Sequence, residues 1–385
     1  MKHWLTMFSV LLLPSAVLAM PFPWLPVENA PGNLIGIFSD YNQGHVYLAV
    51  SQSGDLYRSS DSGDTWSPLP LPGGHAVVFL SRDPSQKTSW YAVTNSGTGF
   101  DIWYSTDNGT SWQYRSGQSE RIVYISPSPI AHGYLLFATG AADSASLQLN
   151  KSEDGGVTHH SVLMMNDPGF APVWHTTSSW QAHWGRMLSS DYGESWTDNS
   201  DKTIAACGND IPPSLLAPTQ EGLFRSRDTT NTWWPLLLKP TDFVSINPRN
   251  SNMLITGSIR SDSPNLYYSN DGGNRFAEWS SDTPGTIQTV IIGSDWMFFT
   301  IINGALYRYD ERPADLDQSN RIDGGDLVIM ATAFGTHAGD AAFNTIADLN
   351  HDGTIDGNDL VILSAVFGHR FEYEDHDSPG DFPAD

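Results

Sequence analysis

The sequence is nearly without cysteine: Cys207 stands alone among 385 residues. One thiol excludes an intramolecular disulfide and any thiolate zinc site. Bases are scarce as well, 19 Lys and Arg against 43 acids, for a formal charge of −24. A chain with no basic stripe is not built for nucleic acid, and anionic lipid repels it. Beyond the first twenty residues no apolar run is long enough to span a bilayer. Glutamate is rare, nine residues against 34 aspartates, a ratio that suits turns and cation sites rather than charged helices. What the chain does have is 39% hydrophobic and 12% aromatic content, enough for a sizeable core, and length for two or three domains.

The acid is unevenly spread. From Arg312 onward, 15 acids face three bases, which is half of the net charge in the last 74 residues. At the other end, Lys2 and His3 precede an apolar run from Leu5 to Leu18, and Val17-Leu18-Ala19 places small residues at a cleavage site. Residues 1–19 therefore read as a cleavable export signal. A membrane anchor is disfavoured, because the run is shorter than 18 residues and contains Pro14. No cysteine follows it, which argues against a lipoprotein. Export without cysteine pairs points to a bacterial protein, secreted, periplasmic or at the cell surface.

An internal repeat organises most of the chain. Ser59-Ser60-Asp61-Ser62-Gly63-Asp64-Thr65-Trp66 has the pattern S-x-D-x-G-x-T-W, and it recurs at Ser105–Trp112 and Ser189–Trp196. Decayed copies keep the frame at Ser152/Asp154/Gly156/Thr158/His159, Ser226/Asp228/Thr230/Thr232/Trp233 and Ser269/Asp271/Gly273/Arg275/Phe276. The central aspartates are 46, 47, 37, 37 and 43 residues apart. The chemistry is that of a hairpin turn: Asp accepts from turn N–H groups, Gly supplies an unusual backbone angle, and Trp packs back on the neighbouring strand. An apolar strand precedes each copy, for example Leu56-Tyr57-Arg58, and two alternating strands lie upstream, for example His75–Leu80 and Ser89–Val93. Four strands in about 40–45 residues is the dimension of a propeller blade.

The motif resembles the Asp-box (BNR) repeat of sialidases, xyloglucan-degrading hydrolases, sortilin-type receptors and photosystem assembly factors. The resemblance covers residues 20–311 and implies an all-β propeller whose Asp-boxes lie at the outer edge of the blades, with structural rather than catalytic aspartates. After the sixth copy three strands follow, Ile287–Ile292, Trp296–Ile302 and Ala305–Tyr309, and then the chain turns acidic. Trp24-Leu25-Pro26-Val27 looks like the outer strands Trp66-Ser67-Pro68-Leu69 and Trp234-Pro235-Leu236. Residues 22–28 are therefore expected to complete the last blade and close a seven-bladed ring; the short fourth and fifth repeats keep six blades as the alternative.

Residues 312–370 hold a second duplication. In the twelve-residue loops 315–326 and 348–359, oxygen side chains fall at positions 1, 3, 5, 9 and 12. They are Asp315, Asp317, Ser319, Asp323 and Asp326, then Asp348, Asn350, Asp352, Asp356 and Asp359, with the backbone carbonyls of Arg321 and Thr354 at position 7. Such spacing wraps a hard cation, and it predicts two Ca2+ sites. Gly353 sits at the sharp turn of the second loop, whereas the first has Asn320 there and Ser319 where a carboxylate is usual, so the first site is expected to bind more weakly. Each loop runs into Leu-Val-Ile and a Phe-Gly end, giving short helices over Leu327–Gly335 and Leu360–Gly368. The arrangement resembles a type I dockerin: a small α domain with two EF-hand-like calcium loops that plugs into a cohesin-type scaffold protein. Loop positions 10 and 11, which help to choose the cohesin in that family, are Gly324-Gly325 and Gly357-Asn358 here. The remaining residues 371–385 read as an acidic, solvated and disordered tail.

Catalytic residues are not evident. A sialidase needs an arginine cluster and an Arg-Ile-Pro signature, which is missing, and Arg58, Arg186 and Arg225 precede Asp-boxes. Xyloglucan hydrolases with this repeat pair two propellers, and one propeller departs from that plan. Glu120, Asp143, Asp167, Asp242 and Asp262 lie outside the Asp-boxes and calcium loops, but a glycosidase needs two carboxylates about 5–10 Å apart. The local signal is aromatic: Trp174, His175, Trp180, His183 and Trp184 crowd into the fourth blade, where they can pack its core or stack on sugar rings. The expectation is a secreted, calcium-binding component of a polysaccharide-degrading system whose propeller binds or cleaves glycan. The alternative is a non-catalytic interaction propeller with a calcium-stabilised cap.

Overall fold

The computed structural model describes residues 25–368, apart from residue 28 and the stretches 41–44, 141–145, 167–169, 176–179, 209–213, 248–249, 260–264, 280–286, 294–296, 311–313, 318, 320 and 350–352. The export signal and the acidic tail lie outside these residues, as do Asp143, Asp167, Asp262, Asn350 and Asp352.

Seven four-stranded antiparallel sheets make up the larger part. Six are simple meanders in chain order, over residues 34–69, 76–118, 121–166, 173–198, 206–237 and 243–279. These are blades one to six. Blade seven takes three strands, Ile287–Ile292, Met297–Ile302 and Ala305–Asp310, and borrows its outermost strand from Leu25–Pro26. Leu25 pairs with Arg308 and Pro26 with Tyr307, and the Val27 N–H continues the ladder to the Leu306 carbonyl. The propeller has seven blades and is closed by its own N-terminal segment. Pro26, Pro68 and Pro235 all stand on outermost strands, where a missing N–H costs no ladder bond.

The first strands of neighbouring blades touch one another around the ring, so they are innermost. The second strands are covered on both faces, and Tyr47–Ser51 and Leu135–Gly140 are buried throughout. That is why they read as nearly continuous apolar runs rather than alternating ones. Large apolar clusters fill the seams, for instance Leu48, Val50, Val77 and Trp90 between blades one and two, and Ile102, Tyr104, Ile125 and Phe137 between blades two and three. A bulge recurs near the start of the first strand in blades one, two, three and seven, at Ile35, Val78, Val123 and Gln288.

The C-terminal part holds two ten-residue helices, Gly324–Ala333 and Gly357–Val366. Asp323 and Asp356 cap them, each in a reciprocal capping box with Asp326 or Asp359. The helices and loops share one core of Leu316, Ile322, Met330, Leu349, Ile355, Ile362 and Leu363 among others. An approximate two-fold relation ties the halves: Gly335 donates to the Ile355 carbonyl at 2.7 Å, and Gly368 to the Ile322 carbonyl at 2.7 Å. Both glycines have positive φ, +82° and +91°, so each helix ends in a turn that returns to the opposite loop.

Candidate functional site

The Asp-box turns join the third and fourth strands of a blade, at its outer edge. In the first box Asp61 Oδ1 accepts from the Thr65 N–H at 2.9 Å and Oδ2 from its hydroxyl at 2.5 Å. Ser59 Oγ donates to Asp61 at 2.8 Å while accepting from the Gly63 N–H at 2.8 Å, and Trp66 Nε1 closes the turn on the Gly63 carbonyl at 3.0 Å. Burial alone would raise the Asp61 carboxyl, but the hydrogen bonds from Thr65 and Ser59 outweigh it and hold it below its ordinary value. The decayed fifth copy keeps this geometry around Asp228, with Thr232 and Ser226 in the same roles. These carboxylates are consumed by their own turns.

Each box also faces a neighbouring blade. A Cβ on Gly63 would meet Phe299 of blade seven at 2.8 Å, and one on Gly273 would meet Leu236 of blade five at 2.8 Å. Arg58 reaches from blade one to the Thr110 hydroxyl of blade two at 3.1 Å, and Arg225 from blade five to the Gly272 carbonyl at 2.6 Å. Arg186 pairs with Asp198 in its own blade. These arginines bind seams and turns, and they do not converge on one point.

The aromatic group of blade four is largely interior. Trp174, His175, His183 and Trp184 are buried, and only Trp180 is exposed, at 49%. Trp174, Ala182 and Trp184 pack against Leu136, Ala138 and Leu149 of blade three, and Trp174 Nε1 donates to the Ser126 carbonyl at 2.9 Å. His183 lies between Ala182 and Trp184 on its strand and so points to the opposite face, where its ring stacks on His175 with centroids 5.0 Å apart. Burial lowers the His175 imidazole to about 4 and, with the neighbouring His175, the His183 imidazole to about 3, so both are neutral near pH 7. For these four residues the sugar-stacking expectation is corrected: rings covered on both faces offer no platform to a ligand. Trp180 has a turn role, since its carbonyl accepts from the Tyr192 N–H of the Asp-box at 2.9 Å.

Of the loose carboxylates, Glu120 is exposed in the turn between blades two and three. Asp242 accepts from the Ile259 N–H at 3.0 Å and the Ser258 hydroxyl at 3.2 Å, which makes it a turn residue. A buried charged group that sequence reasoning missed stands where the first strands of blades one and two end. Arg82 Nε donates to Asp40 Oδ1 at 2.8 Å, and Asp83 accepts from the Tyr104 hydroxyl at 2.9 Å with His132 Nδ1 at 3.5 Å. Its sequence signal was an acid directly after an alternating apolar strand, Phe38-Ser39-Asp40 and Ser81-Arg82-Asp83. These groups bind each other across seams, which is how buried charge is tolerated.

The calcium loops behave differently. Oxygens of Asp315, Asp317 and Asp326 lie within 4.8 Å of one another, and Asp326 is fully buried. Backbone N–H groups orient them from behind: Ser319 donates to Asp315 and Asp317 at 3.0 Å, Asp317 to Asp326 Oδ1 at 3.2 Å, and Asp323 to Asp326 Oδ2 at 2.7 Å. In the second loop Asp359 is buried in the same way, accepting from Leu349 and Asp356 at 2.8 Å each, and Gly353 donates to Asp348 at 3.0 Å. Three converging carboxylates, one without access to water, are costly unless a cation joins them, and an all-oxygen set suits a hard one. The residues fit calcium.

Comparison with known proteins agrees with this division. Residues 313–367 match the dockerin type I domain, a family that binds calcium. A xyloglucanase of Paenibacillus sp is 25% identical over 243 residues, covering 49% of this chain and 23% of that protein. The crystal structure of the GH74 xyloglucanase from Xanthomonas campestris superposes with a TM-score of 0.59 at 14% identity, over 75% of this chain and 53% of that one. The structure described as YCF48 bound to D1 peptide gives 0.52 at 15% identity, over 75% and 95%. The chain thus spans about a quarter of the curated xyloglucanase and about half of the solved one, and at these identities the structural likeness speaks for the fold alone. Among the described residues no helix is long and apolar enough to cross a membrane. The chain carries an Asp-box β-propeller followed, over residues 313–367, by a dockerin type I domain.

Proposed function

We propose that this protein is a secreted component of a polysaccharide-degrading assembly, in which the calcium module docks onto a cohesin-type scaffold and the propeller engages glycan. The observation that carries the reading is the dockerin match over residues 313–367, joined to a propeller whose curated relatives include xyloglucanases. Two Ca2+ ions would be held, one by Asp315, Asp317, Ser319, Asp323, Asp326 and the Arg321 carbonyl, the other by Asp348, Asn350, Asp352, Asp356, Asp359 and the Thr354 carbonyl. The ions neutralise the clustered carboxylates and so fix the helices. Leu327 and Val328 on the first helix, and Leu360 and Val361 at the same step of the second, remain exposed. These repeated apolar pairs are the surface offered to a cohesin, since exposed apolar patches mark interaction sites.

Export rests on the pattern of residues 1–19. Hydrolysis of glycan would need a carboxylate pair, and binding would need only a platform. A specific observation favours the second: the single propeller spans nearly the whole of a non-xyloglucanase chain, 95%, but about half of the GH74 structure. The test is a polysaccharide panel on the full chain, xyloglucan included, scored for both binding and sugar release. Release establishes a glycosidase, and binding without release establishes a glycan-binding component. Neither, together with failure to bind any cohesin in calcium, sinks the proposal and leaves an interaction propeller with a calcium-stabilised cap.

A further inference from the structure

The seam between blades three and four carries an aromatic surface found in none of the other described turns. In five boxes the N–H of the residue after the aspartate donates to a carbonyl two residues ahead of the second strand. The pairs are Ser62 with His45, Asn108 with Thr88, Gly155 with Gly133, Gly272 with Asn252 and, in blade four, Tyr192 with Trp180. Both members of the last pair are exposed, Trp180 at 49% and Tyr192 at 38%. Tyr192 holds φ at +60°, a left-handed backbone that bulky residues avoid and that glycine fills in the third and sixth boxes. The fold does not ask for these rings, since the same turn closes on serine, asparagine or glycine. Strain that the scaffold does not require gathers at ligand sites. Tyr192 then meets Tyr134 of blade three, ring centroids 5.3 Å apart, so the surface crosses the seam.

Polar groups stand beside the rings. Lys151 is buried, and its Nζ lies 5.8 Å from the centroid of the Tyr134 ring and 2.8 Å from both Glu153 and Glu194, whose side chains are exposed. Two carboxylates this close resemble a glycosidase pair, but Lys151 fills the space between them that a glycosidic oxygen would have to enter. The hydrogen bond from Lys151, helped by His160, also holds the Glu194 carboxyl below its ordinary value, so it has no proton to give a leaving group. Such a group accepts from hydroxyls instead. Charge sorts the ligand further: Glu153, Asp154, Asp191 and Glu194 stand against one lysine, which repels an acidic glycan. An uncharged pyranose with equatorial substituents leaves both its faces to C–H groups. It matches what the seam offers, flat indole and phenol rings beside fixed acceptors.

We infer that the seam of blades three and four binds an uncharged glycan chain, with its pyranose rings on Trp180, Tyr192 and Tyr134 and its hydroxyls on Glu153 and Glu194. This assignment rests on the reading that the propeller engages glycan, and it names the place and the class of sugar. The test is calorimetric titration of the full chain, in saturating calcium, with cellohexaose and with hexagalacturonate as the charged counterpart. Trp180→Thr and Tyr192→Gly are the variants, because Thr88 and Gly155 already stand at these places in other boxes. Saturable cellohexaose binding, weakened at least tenfold by either substitution at a melting temperature no lower than the parent's, is the expected result. Either variant alone suffices for that comparison. Indifference to both substitutions overturns the site while leaving glycan binding elsewhere intact. Equal affinity for hexagalacturonate overturns the assignment to uncharged sugar. A dimer of the chain that Trp180→Thr dissolves makes the patch a contact between copies and overturns it too. Absence of cellohexaose binding overturns the site, and the polysaccharide panel then decides separately whether any glycan is engaged.

Discussion

The propeller and the calcium module solve the same problem, a small duplicated unit that cannot bury its own face, by opposite means. Each blade has strands of two to seven residues, and it becomes stable by stacking on neighbours and by closing the ring. The module has about 55 residues and two short helices, too little core to stand by itself. It collects like charges instead, and leaves a cation to join them. The propeller uses its Asp-box carboxylates singly, each spent on its own turn. The module gathers them instead, as Asp315, Asp317 and Asp326 show, in an arrangement that suits a cation. One part should therefore fail by opening its ring and the other by losing its metal.

Removing calcium is the largest perturbation available. With excess chelator, helices Gly324–Ala333 and Gly357–Val366 should unfold while the seven sheets persist, because the ion's binding free energy is the module's folding free energy. Hydrogen exchange resolved along the chain, with and without chelator, checks this. Equal protection of both helices in the two conditions would falsify the dependence on the ion. The reciprocal experiment deletes residues 20–29. Blade seven then loses Leu25–Pro26 and exposes the edge of Ala305–Asp310, so the propeller's melting temperature should fall by roughly 5–10 °C while the module's calcium uptake is untouched. A melt that stays in place would mean that three strands suffice.

Acid separates the two parts in a third way. His175 and His183 are buried and neutral, with imidazoles lowered to about 4 and about 3. For a histidine the unperturbed value is about 6.5, so between that pH and about 4 the unfolded chain takes up protons that the native chain refuses. Stability accordingly rises with pH across that window, by on the order of 3 kcal/mol for His175 alone. Below about pH 4 the Asp-box carboxylates add to the loss: their native values are depressed, so what they contribute is present above the unfolded value of about 3.9 and vanishes as they protonate. Thermal melts in saturating calcium from pH 7 to 4 should show the propeller transition falling. His183→Phe should flatten the slope between pH 6.5 and 4, and an unaltered slope would remove the pair from the account.

Much of this was legible in the residues. The box spacing announced blades, and Trp24-Leu25-Pro26 matched Trp66-Ser67-Pro68 closely enough to expect closure, because an outermost strand has a recognisable Trp-x-Pro entry. The calcium loops were legible because their ligands are local, all within twelve residues. The aromatic group at 174–184 misled for the complementary reason. Indole and imidazole suit a ligand face and a blade interior equally, and only the alternation of Ala182, His183 and Trp184 between two covered faces shows which applies. The Arg82–Asp40 pair escaped notice because its two residues come from neighbouring blades, 42 residues apart in the chain.

The smallest effect concerns how far a repeat can decay and still fold. In every box the two residues after the aspartate have positive φ, and five of the six copies place glycine second. The fifth has Thr229 at +54° and Thr230 at +75°. Left-handed backbone costs a non-glycine residue roughly 1–2 kcal/mol, and a β-branched one is a genuine outlier there. Thr230 is compensated: its hydroxyl donates to the Asn199 carbonyl at 2.5 Å and accepts from the Asn199 side chain at 2.9 Å. For Thr229 the structure shows a bond only to its backbone carbonyl, from Asn199 at 3.2 Å. Thr229→Gly should therefore stabilise the propeller by a few tenths to about 1 kcal/mol, after the entropy that glycine adds to the unfolded chain. Thr230→Gly, which removes two hydrogen bonds, should be neutral or destabilising. Urea melts of the two variants decide it, and a larger gain from Thr230→Gly would show that backbone strain, not the latch to Asn199, governs this turn.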